Sequence, residues 1–162
     1  EFVRSINITP LDTFAYKQTL ISGFDWDGSE KVLLREKSRL VVTEALSERG
    51  FEEVGPDASP DITLVAKWRK RVSSYPGPFD HVDGFHANLD RRDEPGQRFA
   101  ARLNLVVEAY TGENRDLFWR ADLPNIFDAV QFTEERVKAA VRRAMQNFPN
   151  RVEKDPDLPT LQ

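Results

Sequence analysis

The chain contains no cysteine, so thiol catalysis, thiolate metal sites and intrachain disulfides are excluded together. Histidine is almost as scarce: His81 and His86 are the only two, and both fall in one irregular segment. No apolar run approaches the roughly 18 residues that a membrane-spanning helix needs. No serine stands in a nucleophile-elbow pattern, and no glycine-rich phosphate loop precedes a helix. Acidic pairs such as Glu52-Glu53 and Glu134-Glu135 are commonplace, and the second suits the positive end of a helix dipole. Nothing therefore points to an enzyme or to a cofactor. Net charge is −4, from 23 basic and 27 acidic side chains, which gives no bulk attraction to nucleic acid or to an anionic membrane.

What is present suits a folded protein. The 162 residues, 40% hydrophobic and 31% charged, are enough for one domain that needs neither metal nor disulfide to hold it together. Residues 2–8 (FVRSINI) alternate weakly and predict a short strand that Thr9-Pro10 breaks. Residues 11–17 read as a helical turn, and 18–26 (QTLISGFDW) as a second strand. A helix is expected over 29–50, with Ser29 as N-cap, Glu30 on the dipole, and Leu33, Leu40, Val41, Ala45 and Leu46 at helical spacing. Gly50 can adopt the left-handed C′ conformation, which lets Phe51 fold back on Leu46.

Beyond a short strand at 51–54 and the turn-rich GPDASP (55–60), residues 61–73 alternate. Ile62, Leu64, Ala66 and Trp68 share one face, and Thr63, Val65, Lys67, Arg69 and Arg71 the other. One face in the core and one near water implies an antiparallel sheet. Residues 76–98, rich in Pro, Gly and charge, predict a long loop or protruding hairpin. Strands are expected at 99–111 and 116–123, joined by the turn TGEN (111–114). In the second of these, Leu117, Trp119 and Ala121 fall on the core face and Phe118, Arg120 and Asp122 on the open face. Phe118 is then a large aromatic at an exposed position. The closing helix, 134–148, starts from Thr133 as N-cap with Phe132 and Val137 as a hydrophobic staple. Val137, Ala140, Val141, Ala144, Met145 and Phe148 form its buried stripe, and Pro149 stops it.

The expected order is β-β-α-(β)-β-β-β-α. Two amphipathic helices on one face of a mostly antiparallel sheet make a two-layer α+β sandwich. Residues 1–149 form the single domain, with 150–162 an extended tail. Leu64, Trp68, Leu103, Leu105 and Trp119 are expected beneath the helices.

Three candidate sites emerge. Asp80, His81, Asp83, His86 and Asp90 carry metal-capable groups, His81, Asp83 and His86 foremost, although no recognised ligand spacing fits and the composition equally suits a solvated loop. A metal-binding protein or enzyme built on the 80–90 loop is therefore one alternative. A nucleic-acid module built on the Lys67–Arg71 sheet face is another, since basic and aromatic side chains can grip phosphates and stack bases. The acidic total disfavours it, and cross-strand pairs to Glu108 and Asp122 account for the same charges. More generally, Lys67, Arg69, Arg71, Phe118 and Arg120 form a possible interaction surface.

Three segments in order also resemble a known family. The helix end ALSERGFEEV (45–54) runs into PDITLVAKW (60–68). The hairpin LNLVVEAYTGENRDLFWRADL (103–123) ends in an aromatic-Trp-Arg strand, and TEERVKAAVRRAMQNFP (133–149) closes the chain. This resembles the bacterial envelope lipoproteins of domain-of-unknown-function family 4136, over roughly residues 12–149. The resemblance implies export, an N-terminal lipid-anchored cysteine absent from this chain, and a periplasm-facing domain, on the outer membrane. It implies no known activity and no site. The leading reading is therefore a non-enzymatic domain that acts by binding or scaffolding, with an envelope protein, lipid or cell-wall component expected as partner and membrane contact only through the anchor. The basic, Pro-rich 76–98 segment departs from the shorter or more Gly-rich loop that the resemblance implies.

Overall fold

Asp27, not Ser29, starts the first helix. Its carboxylate accepts from the Glu30 backbone N–H at 2.8 Å, while the Glu30 carboxylate accepts from the Asp27 N–H at 3.2 Å. This capping box satisfies two donors that an uncapped helix leaves orphaned. Ser29 serves it indirectly, donating to the Asp27 carboxylate at 2.7 Å. The helix, α1, runs Gly28–Glu48. It ends as the sequence suggests: Gly50 has φ +94°, its N–H bonds Ser47 O, and the Phe51 N–H reaches back to Leu46 O. Those two bonds are the Schellman pair.

The computed structural model describes residues 2–3, 10–23, 26–76, 97–111, 116–129 and 132–152. Among these residues six strands form one sheet: β1 (Phe2–Val3), β2 (Thr13–Gly23), β3 (Glu52–Glu53), β4 (Ile62–Pro76), β5 (Gln97–Thr111) and β6 (Asp116–Asp128), in the order β1-β6-β5-β4-β2-β3. A second helix, α2, spans Glu134–Met145. Thr133 caps it, accepting from the Arg136 N–H at 3.2 Å, as the sequence predicts.

The architecture is α+β, with a mixed sheet. The pairings β1/β6, β6/β5 and β5/β4 are antiparallel, whereas β2/β4 and β2/β3 are parallel. The reason is α1. A helix of this length carries the chain roughly 30 Å back along the sheet, so the next strand starts from the same end as β2 and must run parallel to it. The expected helical turn at 11–17 is instead the first half of β2, and the strand ends at Gly23 rather than at residue 26. Gly23 has φ +99°, and a Cβ there would lie 2.1 Å from the Lys70 carbonyl oxygen; only glycine fits.

Both helices contact the sheet and each other. Beneath them, Leu64, Trp68, Leu103, Leu105 and Trp119 have no exposed surface, as expected. The Trp68 indole N–H donates to Ser38 Oγ of α1 at 2.8 Å, which explains a serine in the buried stripe of a helix. Arg49, just past α1, joins the two helix ends. Its guanidinium donates to the carbonyls of Ala45 (2.9 Å), Met145 (2.8 Å), Gln146 (3.1 Å) and Phe148 (2.9 Å). One cation thus satisfies carbonyls at two C-termini, where a positive charge is favoured.

Strand β6 departs twice from regular pairing, and both departures correct the sequence reading. Leu117 sits opposite Tyr110 and Trp119 opposite Ala109, so Phe118 is an extra residue in the ladder. Such a bulge turns neighbouring side chains toward the same side. Phe118 is 1% exposed and lies in the core beside Trp119, not on the open face. Both rings meet Phe148 edge-on, at 6.1 and 4.9 Å between centroids. Further along, Leu105 pairs with Leu123 and Leu103 with Phe127. Pro124 falls in the longer interruption between them, where no ladder N–H is required of it. The strand therefore does not stop at Pro124 but resumes to Asp128.

Candidate interaction surface

Along β4 the side chains alternate between helix face and open face. Trp68 and Lys70 turn under the helices, each 6% exposed or less, and Lys67, Arg69 and Arg71 take the other side. In register, Lys67 lies opposite Val106, Arg69 opposite Asn104 and Arg71 opposite Arg102. One strand further, Glu108 faces Arg120 and Val106 faces Asp122. Four of the five residues expected to form an interaction surface, Lys67, Arg69, Arg71 and Arg120, thus share one face. The fifth, Phe118, does not, because of the bulge. Trp68 is also buried beneath α1, so neither Trp68 nor Phe118 is available on the basic stripe to stack a base.

The charges on this face are partly matched. Lys67 forms an ion pair with Glu108, whose side chain is 8% exposed, and Arg120 bonds Asp122 at 3.3 Å. Burial, reinforced by the hydrogen bond and charge of Glu108, holds the Tyr110 phenol above its ordinary pKa. Arg69 and Arg71 are exposed and have no ion-pair partner among the described residues. The face therefore presents two cations beside a compensated Lys-Glu-Tyr cluster.

A second surface lies at the edge of β2, where the helical turn expected at 11–17 meets the strand expected at 18–26. The register of β2 on β4 slips between Tyr16 and Gln18, leaving Lys17 as an extra residue. Tyr16 turns inward. Its hydroxyl hydrogen-bonds Thr19 Oγ1 and Ser38, and burial pushes its pKa up to about 12. Tyr16, Thr19, Ser38 and Trp68 thus share one polar chain that runs from the half-buried edge of β2 into the core. Outside it, an open hollow of about 540 Å³ is lined by the β2 segment 16–19, by Arg35 and Arg39 of α1, and by Pro56. Arg39 pairs here with Glu53, at 3.8 Å.

Asp80, His81, Asp83, His86 and Asp90 lie outside the described residues. Among the described residues no group of three His, Asp or Glu side chains is placed to hold a metal ion, and no helix is long and apolar enough to cross a membrane.

No protein-family model and no curated protein matches the sequence. Solved structures do match the fold. A protein described as a neuraminyllactose-binding hemagglutinin homolog from Helicobacter pylori superposes with a TM-score of 0.53 at 9% identity, over 85% of this chain and 81% of that one. A DUF4136 family protein from Bacteroides thetaiotaomicron gives a TM-score of 0.53 at 10% identity, over 90% of this chain and 91% of its own. The second is the fold that the sequence resemblance implies, and likeness at this identity is likeness of fold.

Proposed function

We propose that this chain is the folded domain of a bacterial envelope lipoprotein that binds or scaffolds another envelope component through the open face of its sheet. The observation that carries this reading is the asymmetry of the sheet. One face is clad by α1 and α2, whereas the other has no covering element among the described residues and presents Arg69 and Arg71 without ion-pair partners there. Exposed arginines on a rigid strand suit recognition of an acidic partner, because the planar guanidinium binds carboxylate or phosphate by two bonds at once. The shared fold with a DUF4136 family protein and the motif resemblance support the lipoprotein assignment. Tethering fits a binding role, because an anchor raises the effective concentration of the partner, and modest affinity then suffices.

The test is photo-crosslinking in cells that express the complete gene, with the crosslinker at Arg69 or Arg71 and, as a control, at exposed Arg142 on α2. A discrete envelope partner captured from the sheet face, and not from the control position, is expected. Fatty-acid labelling of the same cells should mark the protein. Equal capture from both positions would remove the sheet face from the reading, and an unlabelled protein would remove the lipoprotein assignment.

A further inference from the structure

The sheet has an open edge. Beyond Phe14, where the two-residue β3 ends its pairing, no strand pairs with the outer side of β2 among the described residues. The stretch from Lys17 to Gly23 is seven residues long, roughly 23 Å of extended backbone. One of its carbonyls, that of Ser22, accepts from the Trp26 indole N–H at 2.7 Å. Unpaired strand edges invite pairing with another chain, and proteins usually blunt them with lysine or a bulge. Both are present at Lys17. The bulge, however, is confined to Tyr16/Gln18, and pairing with β4 is regular from Gln18 to Gly23. Most of the edge therefore remains straight enough to accept a strand.

The surroundings select the occupant. Arg35 and Arg39, one turn apart on α1, stand with Lys17 around the hollow beside this edge. Arg35 and Lys17 are exposed, and the Arg39 side chain is 67% exposed. Against these three cations stands Glu53. Pairing two copies of β2 edge to edge would bring the same cations together, which disfavours self-association. An acidic strand gains from them. Leu20, 42% exposed on the open-face side of β2, and Val32, 50% exposed on the helix side one turn before Arg35, offer one apolar contact on each side of such a strand.

We propose that the outer edge of β2 is a docking site for an extended acidic polypeptide segment, which adds a strand to the sheet while its carboxylates meet Lys17, Arg35 and Arg39. Backbone hydrogen bonds supply the register-tolerant part of the affinity and the cations supply the preference for acidic sequence. This goes beyond the open-face reading and uses a different surface.

The probe is a synthetic peptide of alternating Thr and Glu, long enough to span the edge, added to the full chain. Three comparison peptides or proteins separate the contributions: the same peptide N-methylated at alternate residues, an alternating Thr-Lys peptide, and the K17E/R35E/R39E variant. Binding is read by amide chemical shifts and hydrogen exchange. The Thr-Glu peptide should protect amides of residues 17–23, N-methylation should abolish binding, and the Thr-Lys peptide should not bind. Charge reversal should weaken binding roughly tenfold or more while thermal melts stay close to wild type, because all three side chains lie at the surface. Absence of binding by the Thr-Glu peptide overturns the proposal. So does equal binding of the N-methylated peptide, which reduces the site to charge alone, or protection that maps to the open face.

Discussion

Phe118 and Trp119 show what a single extra residue does. Adjacent strand side chains normally point to opposite faces, and the pattern around Arg120 gives no warning of an exception. The bulge puts both rings against Phe148. Removing a buried aromatic ring destabilises a domain by roughly 3–5 kcal/mol. Phe118→Ala and Trp119→Ala should therefore both fall in that range in urea melts. A Phe118→Ala loss below about 1 kcal/mol, the ordinary result at a surface position, would place Phe118 back on the open face.

At the level of whole elements, the helices depend on their ends. Arg49 ties the C-terminal turn of α1 to the last carbonyls of α2 through a planar fork. Lysine carries the same charge but cannot reproduce those four bonds. Arg49→Lys should destabilise by about 1.5–3 kcal/mol, the range for hydrogen bonds to a charged group, as measured by chemical denaturation. At the other end of α1, the hydrogen bond from Ser29, then that from the Glu30 N–H, holds the Asp27 carboxyl below its ordinary pKa. A lowered folded pKa stabilises above the unfolded value, near 4, and that stabilisation is lost as pH falls through the folded value. Glu134, beside Lys37 at 3.0 Å, is lowered for the same kind of reason, the Lys37 hydrogen bond first. Stability should therefore fall from about pH 4 downward. Asp27→Asn keeps a cap that does not titrate, so its melting temperature should depend less steeply on acid pH than that of the wild type. Parallel pH profiles would show that the cap carriers lie elsewhere.

On the scale of the whole molecule, the long hairpin sets the frame. Strands β4 and β5 are paired to their far ends, Pro76 opposite Gln97, so a two-residue turn suffices to close them. Replacing 77–96 with Asn-Gly, the pair that favours a tight hairpin, should change stability by less than about 1 kcal/mol, since loop length contributes only weakly. Loss of folding in circular dichroism would mean that the segment belongs to the core. Zinc titration of the wild type tests the same segment for chemistry: no stoichiometric heat is expected, and a site lost in His81→Ala/His86→Ala would favour the metal alternative instead.

Local sequence determined what local physics can determine. The Thr133 N-cap, the Gly50 C-cap, the alternation of Ile62 to Trp68 and of Leu103 to Ala109, and the buried stripe of α2 are short-range patterns, and each forms as written. The shared side of Lys67, Arg69 and Arg71 follows from the same two-residue period. What the pattern could not carry was partner choice between strands. The direction of β2 against β4 depends on where α1 returns the chain. The burial of Phe118 depends on one slip of β6 against β5, and the edge of β2 is open among the described residues because β3 pairs with only two of its residues. Hydrophobic periodicity is a property of one segment, whereas register, bulges and edges are properties of pairs of segments distant in sequence, and only the folded sheet brings those pairs together.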